Sequence, residues 1–250
     1  MRILRIAFGN IWRFWFFFVG AITFFMLFPF FFFSLMGSAK YKVCFQFMRL
    51  HARLIVYLSG ITPKVINRFT PDKNQTYVIC PNHNSYLDIV LTYVGINEYF
   101  HFMGKVELKR VPFFNIFFRD MNIGVDRASR SGSHKAYMRA ISDLEKNISI
   151  AIFPEATIHD CSPLLGPVKN GAFKLAIEKQ VAIIPIAYID NWKILPDVPN
   201  RIYGGRPGTA RIVVLPPIST KGMTEENLSE LKALYKNAME KVLVEFDYGR

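Results

Sequence analysis

From residue 14 to residue 36 the chain carries no charged side chain, and only Thr23 and Ser34 in that run are polar. Wound as an α-helix the run reaches roughly 35 Å, enough to cross a bilayer's hydrocarbon core with some tilt. So many adjacent phenylalanines leave no polar face, which a helix packed in a soluble core would need. A secretory signal fits poorly as well. The apolar run is too long, and Gly37-Ser38-Ala39-Lys40 is a loose match to a cleavage site. Pro29 lies inside the run and is placed to kink it into two pieces. Basic residues flank both ends, so charge does not fix an orientation, and an in-plane hairpin with both ends cytoplasmic is equally compatible.

The charge distribution sharpens this reading. The formal net charge is +12, which calls for an anionic partner: nucleic acid, acidic lipid or a phosphorylated substrate. Residues 1–60 contain Arg2, Arg5, Arg13, Lys40, Lys42, Arg49 and Arg53 and no acidic residue. Half of the 24 phenylalanines also precede residue 37. Basic and apolar together point to an anionic membrane surface, not to a nucleic-acid groove. Residues 43–58 read as an amphipathic interfacial helix with Arg49 and Arg53 one turn apart on one face. The three cysteines, Cys44, Cys80 and Cys161, form no C-x-x-C pair, which excludes a disulfide scaffold and a thiolate zinc ribbon.

Beyond residue 60 short apolar runs alternate with helical patterns. Strands are expected at 77–80, 99–103, 122–125, 148–153, 181–188 and 211–215. Helices are expected at 86–94, 112–120, 132–146, 171–179 and 224–246, the last with Thr224 as cap and Asn227 where a capping box has Glu or Gln. Residues 190–208, rich in Pro and Gly, read as a long surface loop. The fold class is therefore α/β, a largely parallel central sheet with flanking helices, preceded by an N-terminal hydrophobic membrane-anchoring helical segment. The boundary between anchor (1–60) and α/β domain (61–250) falls where the composition changes. In such a sheet a site forms beyond the carboxyl ends of the strands.

The first of those ends reads Pro81-Asn82-His83-Asn84-Ser85-Tyr86-Leu87-Asp88. A histidine with an ordinary pKa of about 6.5, set between strand and helix, suits a general base. Asp88 is close enough in sequence to reach back and fix the ring tautomer, as the acid does in a hydrolase triad. The plainer alternative is a helix cap by Asn82 or Ser85 with a packed histidine. Arg127, after the strand at 122–125, offers a planar fork for phosphate. Glu155 follows the strand at 148–153, and Pro185 interrupts an apolar strand.

These blocks resemble the glycerolipid acyltransferases typified by 1-acylglycerol-3-phosphate acyltransferase, over roughly residues 75–190. The Asn-His-x4-Asp motif is matched by Asn82, His83 and Asp88, the block ending in Arg by Gly124 to Arg127, and the apolar-Pro-apolar strand by Ile184-Pro185-Ile186. The Phe-Pro-Glu-Gly-Thr-Arg block is matched by Phe153-Pro154-Glu155-Ala156-Thr157, with Ala156 for its glycine and Ile158 for its arginine. Lys105 and Lys169 resemble further basic positions of that family. The resemblance implies a membrane enzyme moving an acyl group from acyl-CoA or acyl-ACP to a lysolipid hydroxyl, 1-acylglycerol-3-phosphate giving phosphatidic acid. The thioester is a co-substrate and no cofactor or metal is implied. Acyl carrier protein is the partner if the donor is acyl-ACP, and the expected location is the inner or plasma membrane with the catalytic domain cytoplasmic. His83 would be the base and Asp88 its orienter. Backbone N–H groups near the motif would hold the oxyanion. Arg127, helped by Lys105 or Lys169, would take the acceptor phosphate, and Glu155 would orient its hydroxyl, with Asn82 and Thr157 also at the substrate. Ile158 forfeits a charge-assisted contact of about 1.5–3 kcal/mol unless Lys105, Lys169 or His159 replaces it. The acceptor would otherwise be a lysophospholipid with a capped headgroup or a lyso-aminolipid.

Other classes fit less well. No Gly-x-Ser-x-Gly elbow accompanies Ser85, Cys80 or Cys161 for a hydrolase. Cys80, His83, His159, Asp160 and Cys161 match no common metal-ligand spacing, and no nucleotide fingerprint appears. A catalytically silent lipid-binding protein of the same fold would have little reason to combine His83, Asp88 and Glu155.

Overall fold

The computed structural model describes residues 2–246 apart from Ser38, Ala39, Lys73, Asp120, Asp160, Ser162, Pro163 and 198–203. Two helices lead, α1 (Arg2–Ser34) and α2 (Tyr41–Leu58). Seven strands follow, β1 (Ile61–Asn67), β2 (Val78–Pro81), β3 (Phe100–Lys105), β4 (Ile123–Val125), β5 (Ser149–Ile152), β6 (Ile183–Tyr188) and β7 (Gly208–Val214). They form one sheet in the order β1-β7-β6-β2-β5-β3-β4. Every pairing is parallel except β6 with β7, so β1 and β7 run against the other five. Helices α3 (Leu87–Gly95), α4 (Ile116–Arg119), α5 (Arg130–Glu145), α6 (Gly171–Lys179), α7 (Asn191–Ile194) and α8 (Leu228–Glu245) complete the chain.

Alternation along the strands builds two cores. In β2, Ile79 packs with residues of α1, α2 and α3, whereas Val78 and Cys80 pack with α5, α6 and α8. Residues 1–60 thus share a continuous hydrophobic core with the sheet. Pro185 is accommodated in central β6 because it lies where β7 stops pairing. Leu215 N–H still donates to Pro185 O at 3.1 Å, and only the reciprocal bond is lost. Strand β1, with Pro63 and an alternating polar pattern, was not expected from sequence; it is an edge strand whose pairing with β7 is entirely long-range. The helix expected at 112–120 shrinks to α4 behind a turn, and Asp120 lies outside the described residues. At the start of the last helix, Asn227 does the work of the missing Glu or Gln, accepting the Thr224 N–H at 2.9 Å.

Helix α1 continues through Pro29 instead of breaking there. Leu27 and Phe31, on either side of the proline, are both buried against protein, and that packing holds the turn together. A stripe of Trp12, Phe16, Val19, Thr23, Leu27 and Phe31 is buried along the helix, yet only 22% of its apolar window is covered. Phe14, Phe17, Phe18, Phe25, Phe30 and Phe33 face outward. The helix is long and apolar enough to cross a membrane. Helix α2 corrects one expectation. Arg49 points into the protein, donating to Tyr93 O at 3.2 Å and to Asn97 Oδ1 at 2.6 Å, while Arg53 on the next turn is exposed.

The segment expected as a surface loop (190–208) instead clamps α1. Ile194 and Leu195 are buried, and Gly204 meets Gly9 so closely that a Cβ on Gly204 would lie 2.0 Å from the Gly9 carbonyl carbon. Residues 198–203 of it lie outside the described residues. Only glycines allow two backbones this near. Gly204→Ala is expected to cost about 1–3 kcal/mol by overpacking, a drop of roughly 3–10 °C in Tm, measurable by thermal melting in detergent.

Candidate active site

The five like-directed strands lie side by side as β6-β2-β5-β3-β4, so their carboxyl ends share one edge. The residues just beyond them are brought together by that fact alone. Residue 83 follows β2, 155 follows β5, Lys105 ends β3 and Arg127 follows β4. His83, Lys105, Arg127, Thr157 and Lys169 line the mouth of one cavity of about 1090 Å³. Deeper in, the same cavity is walled by apolar side chains from α1, α2 and residues 102–118, among them Phe24, Phe31, Ile55 and Phe117. Ile158 lines it too, whereas His159 turns away, its Nε2 lying 3.3 Å from Glu155 O. Lys105 and Lys169 are therefore the cations available beside Arg127 in place of an arginine at 158.

His83 and Asp88 meet. Nδ1 of the ring lies 3.0 Å from Asp88 Oδ2, and the ring stacks on Phe153 with centroids 4.2 Å apart. The Asp88 side chain is completely buried while the ring stays partly exposed. Asp88 Oδ2 also accepts the N–H groups of Asn84 at 2.6 Å and Ser85 at 2.9 Å, and Oδ1 accepts Asn191 Nδ2–H at 2.6 Å. These donors satisfy a carboxylate that water does not reach. With Nδ1 directed at the carboxylate, Nε2 is left as the ring's basic atom.

Glu155 lies beside the loop that carries His83. Its carboxylate accepts His83 N–H at 2.7 Å and Gly166 N–H at 2.6 Å, and the residue is almost fully buried. Burial raises its pKa, against the pull of those two N–H donors. Both carboxylate oxygens are thus engaged by backbone donors. Asn82 pairs with the Tyr188 backbone at 2.7 and 3.2 Å. The loop's own N–H groups are not available to an oxyanion. Those of residues 83, 84, 85 and 86 end on Glu155, Asp88, Asp88 and Asp197. Asp197 and Asn191 escaped sequence reasoning because they meet the loop across more than a hundred residues and carry no local pattern.

Arg127 donates to Ala156 O, and partial burial lowers its pKa, partly countered by the Glu107 carboxylate. Ala156 has φ +66°, the left-handed conformation natural to glycine, at about 1–2 kcal/mol for a residue with a side chain. Ser85 Oγ is buried and donates to Leu195 O at 2.7 Å, and Cys80 is buried with its thiol pKa pushed up, so neither is poised as a nucleophile. Among the described residues no cluster of three or more His, Cys, Asp or Glu could hold a metal ion; Asp160 lies outside them.

A family model described as Acyltransferase matches residues 62–189. An uncharacterized acyltransferase of Schizosaccharomyces pombe is 35% identical over 191 residues, 75% of this chain and 67% of that protein. A 1-acyl-sn-glycerol-3-phosphate acyltransferase of Haemophilus influenzae is 30% identical over 190 residues, 74% of this chain and 76% of that one. The crystal structure of the 1-acyl-sn-glycerophosphate acyltransferase PlsC from Thermotoga maritima superposes with a TM-score of 0.76 at 20% identity, covering 97% of this chain and 98% of that one. At that identity the likeness speaks for the fold.

If Glu155 braces the loop, Glu155→Gln sets an amide N–H₂ against a backbone N–H at a cost of about 1–3 kcal/mol. Turnover should fall with the KM for the acceptor unchanged. A selective rise in that KM would return Glu155 to the substrate.

Proposed function

The chain belongs to the Acyltransferase family and is an O-acyltransferase of the 1-acylglycerol-3-phosphate acyltransferase type, and from that premise we propose that it acylates a lysolipid hydroxyl from an acyl thioester at a membrane surface, with His83 as general base. The observation that carries the reading is the His83–Asp88 pair at 3.0 Å, placed where a cationic mouth meets an apolar cavity. An acceptor with one anionic end and one acyl chain matches that division of chemistry. The preferred acceptor is 1-acylglycerol-3-phosphate, its phosphate between Arg127, Lys105 and Lys169 and its chain toward Phe24, Phe31 and Phe117.

In this mechanism Nε2 of His83 removes the hydroxyl proton as that oxygen attacks the thioester carbonyl carbon. A C–O bond forms, the tetrahedral intermediate collapses with cleavage of the C–S bond, and the imidazolium returns its proton to the departing thiolate. Asp88 holds the tautomer throughout and stabilises the imidazolium that forms. Since the N–H groups of residues 83–86 are committed to carboxylates, the oxyanion falls to the cationic side chains at the mouth.

The outward-facing aromatics of α1, with exposed Val111 and Phe113 beside them, support insertion into lipid. Helix α1 touches the rest of the protein along its length, and a perpendicular span would drag the polar edges of the sheet into hydrocarbon. That contact favours α1 lying along one leaflet, with the mouth of the cavity at the headgroups. The catalytic domain would then sit on the cytoplasmic side, where acyl-CoA and acyl-ACP are made.

Purified protein assayed by thiol release against a panel of lysolipids should prefer 1-acylglycerol-3-phosphate. Preference for a capped-headgroup lysophospholipid would instead follow from Ile158 in the cavity wall. His83→Ala should lower turnover by more than about 10²-fold with membrane binding retained, and full turnover in that variant would remove the base assignment. Arg127→Ala should raise the KM of the acceptor and leave that of the thioester; the reverse would move Arg127 to the donor.

A further inference from the structure

We propose that Asp197, held by Arg13 of α1, is a positioning residue for the His83–Asp88 pair, so that docking of the N-terminal helix sets the geometry of the catalytic loop; this rests on His83 being the base. An unbroken path of bonds joins the two. Arg13 Nη2 donates to Asp197 Oδ1 at 2.9 Å, and Nη1 donates to Pro196 O at 2.5 Å. Asp197 Oδ2 accepts Tyr86 N–H at 2.5 Å and lies 3.1 Å from Ser85 Oγ, whose one hydroxyl proton it shares with Leu195 O at 2.7 Å; Tyr86 is the chain neighbour of Ser85. Ser85 in turn gives its N–H to Asp88 Oδ2 at 2.9 Å, the oxygen that faces His83 Nδ1. Three residues therefore separate a guanidinium in the apolar N-terminal helix from the imidazole.

Burial shows where the path matters. The Asp197 side chain has no solvent exposure, while that of Arg13 is 33% exposed. A carboxylate taken so far from water needs a counter-charge and donors to stay ionised. Arg13 is the cation paired with it, and Tyr86, Ser85 and Arg13 supply the donors. Without the guanidinium, Asp197 is driven toward its neutral acid, which holds N–H and O–H donors less tightly and turns one oxygen into a competing donor. The first backbone to feel that is at 85 and 86, where Ser85 N–H is itself a donor to Asp88 and Asn84 N–H, the other, is its neighbour.

Attachment of α1 does not depend on this pair. Trp12 Nε1–H donates to Ser59 O at 2.9 Å, Trp15 Nε1–H donates to Leu58 O at 3.0 Å, and the apolar stripe and the Gly9–Gly204 approach dock the rest. Arg13 and Asp197 can thus be altered with the helix in place, and the effect expected is on catalysis.

The test uses the full-length protein in liposomes containing anionic lipid. Arg13→Gln and Asp197→Asn should each lower kcat by about 10-fold, as expected for coupled neighbours in one network, with the acceptor KM within about 2-fold and liposome co-sedimentation unchanged. The double variant should be no worse than either single, and Arg13→Lys should recover kcat to within about 3-fold of wild type because the charge is restored. Ser85→Ala, the smallest change along the path, should also lower kcat and covers the case in which Arg13→Gln fails to fold. Wild-type kcat in Arg13→Gln or in Ser85→Ala, or losses confined to KM or to membrane binding, would overturn the proposal. His83→Ala run in parallel separates the failures: turnover retained there removes the base reading, whereas an inactive His83→Ala beside a fully active Arg13→Gln removes the relay alone.

Discussion

Four consecutive backbone N–H groups, at residues 83 to 86, end on three buried carboxylates, and the rest of the site follows from that arrangement. A loop of this kind has no ladder to satisfy its donors, and charge-assisted bonds from Asp88, Glu155 and Asp197 supply what a ladder would. The imidazole is positioned as a consequence. The backbone N–H of His83 is tied to Glu155, the ring's Nδ1 faces Asp88, and the ring lies on Phe153. The carboxylates of Asp88 and Glu155 both lie within hydrogen-bond distance of this one residue. Arg127, Lys105 and Lys169 set positive charge opposite at the mouth of the cavity, and Arg13 pairs with Asp197.

The topology converts this local solution into a substrate-sized site. Because β2, β5, β3 and β4 are adjacent and parallel, residues far apart in sequence arrive at one edge, polar at the rim and apolar beneath. Helices α1 and α2 close the apolar side. The helix long and apolar enough to cross a membrane is therefore also a wall of the cavity, with aromatic residues exposed on one side and lining the cavity on the other.

Much of this was legible in the chain. The uncharged run at 14–36 announced α1, and the alternation of apolar runs with helical patterns announced the parallel sheet. The spacing of His83 and Asp88 also carried through, because five residues at a strand-to-helix junction leave the carboxylate little choice but to turn back. Readings failed where local pattern and long-range packing disagreed. Pro29 looked like a break but is spanned by packed turns, and Arg49 looked interfacial but has partners on and after α3. Residues 190–208 looked like a long surface loop because Pro and Gly mark turns and loops, whereas the glycine at 204 permits close approach to α1.

The carboxylates divide along the same line. Sequence alone determined that this chain has a membrane-directed helix, a mostly parallel α/β sheet and a histidine–aspartate pair at a strand end, since each is encoded in residues close together. Only the tertiary structure decided that Glu155 accepts the His83 N–H, that Asn82 pairs with the Tyr188 backbone, that the N–H groups of residues 83–86 end on carboxylates, and that Arg13 reaches Asp197 beside the loop. A hydrogen bond is fixed by direction and distance in space, and for partners more than seventy residues apart neither is written in any local stretch of chain.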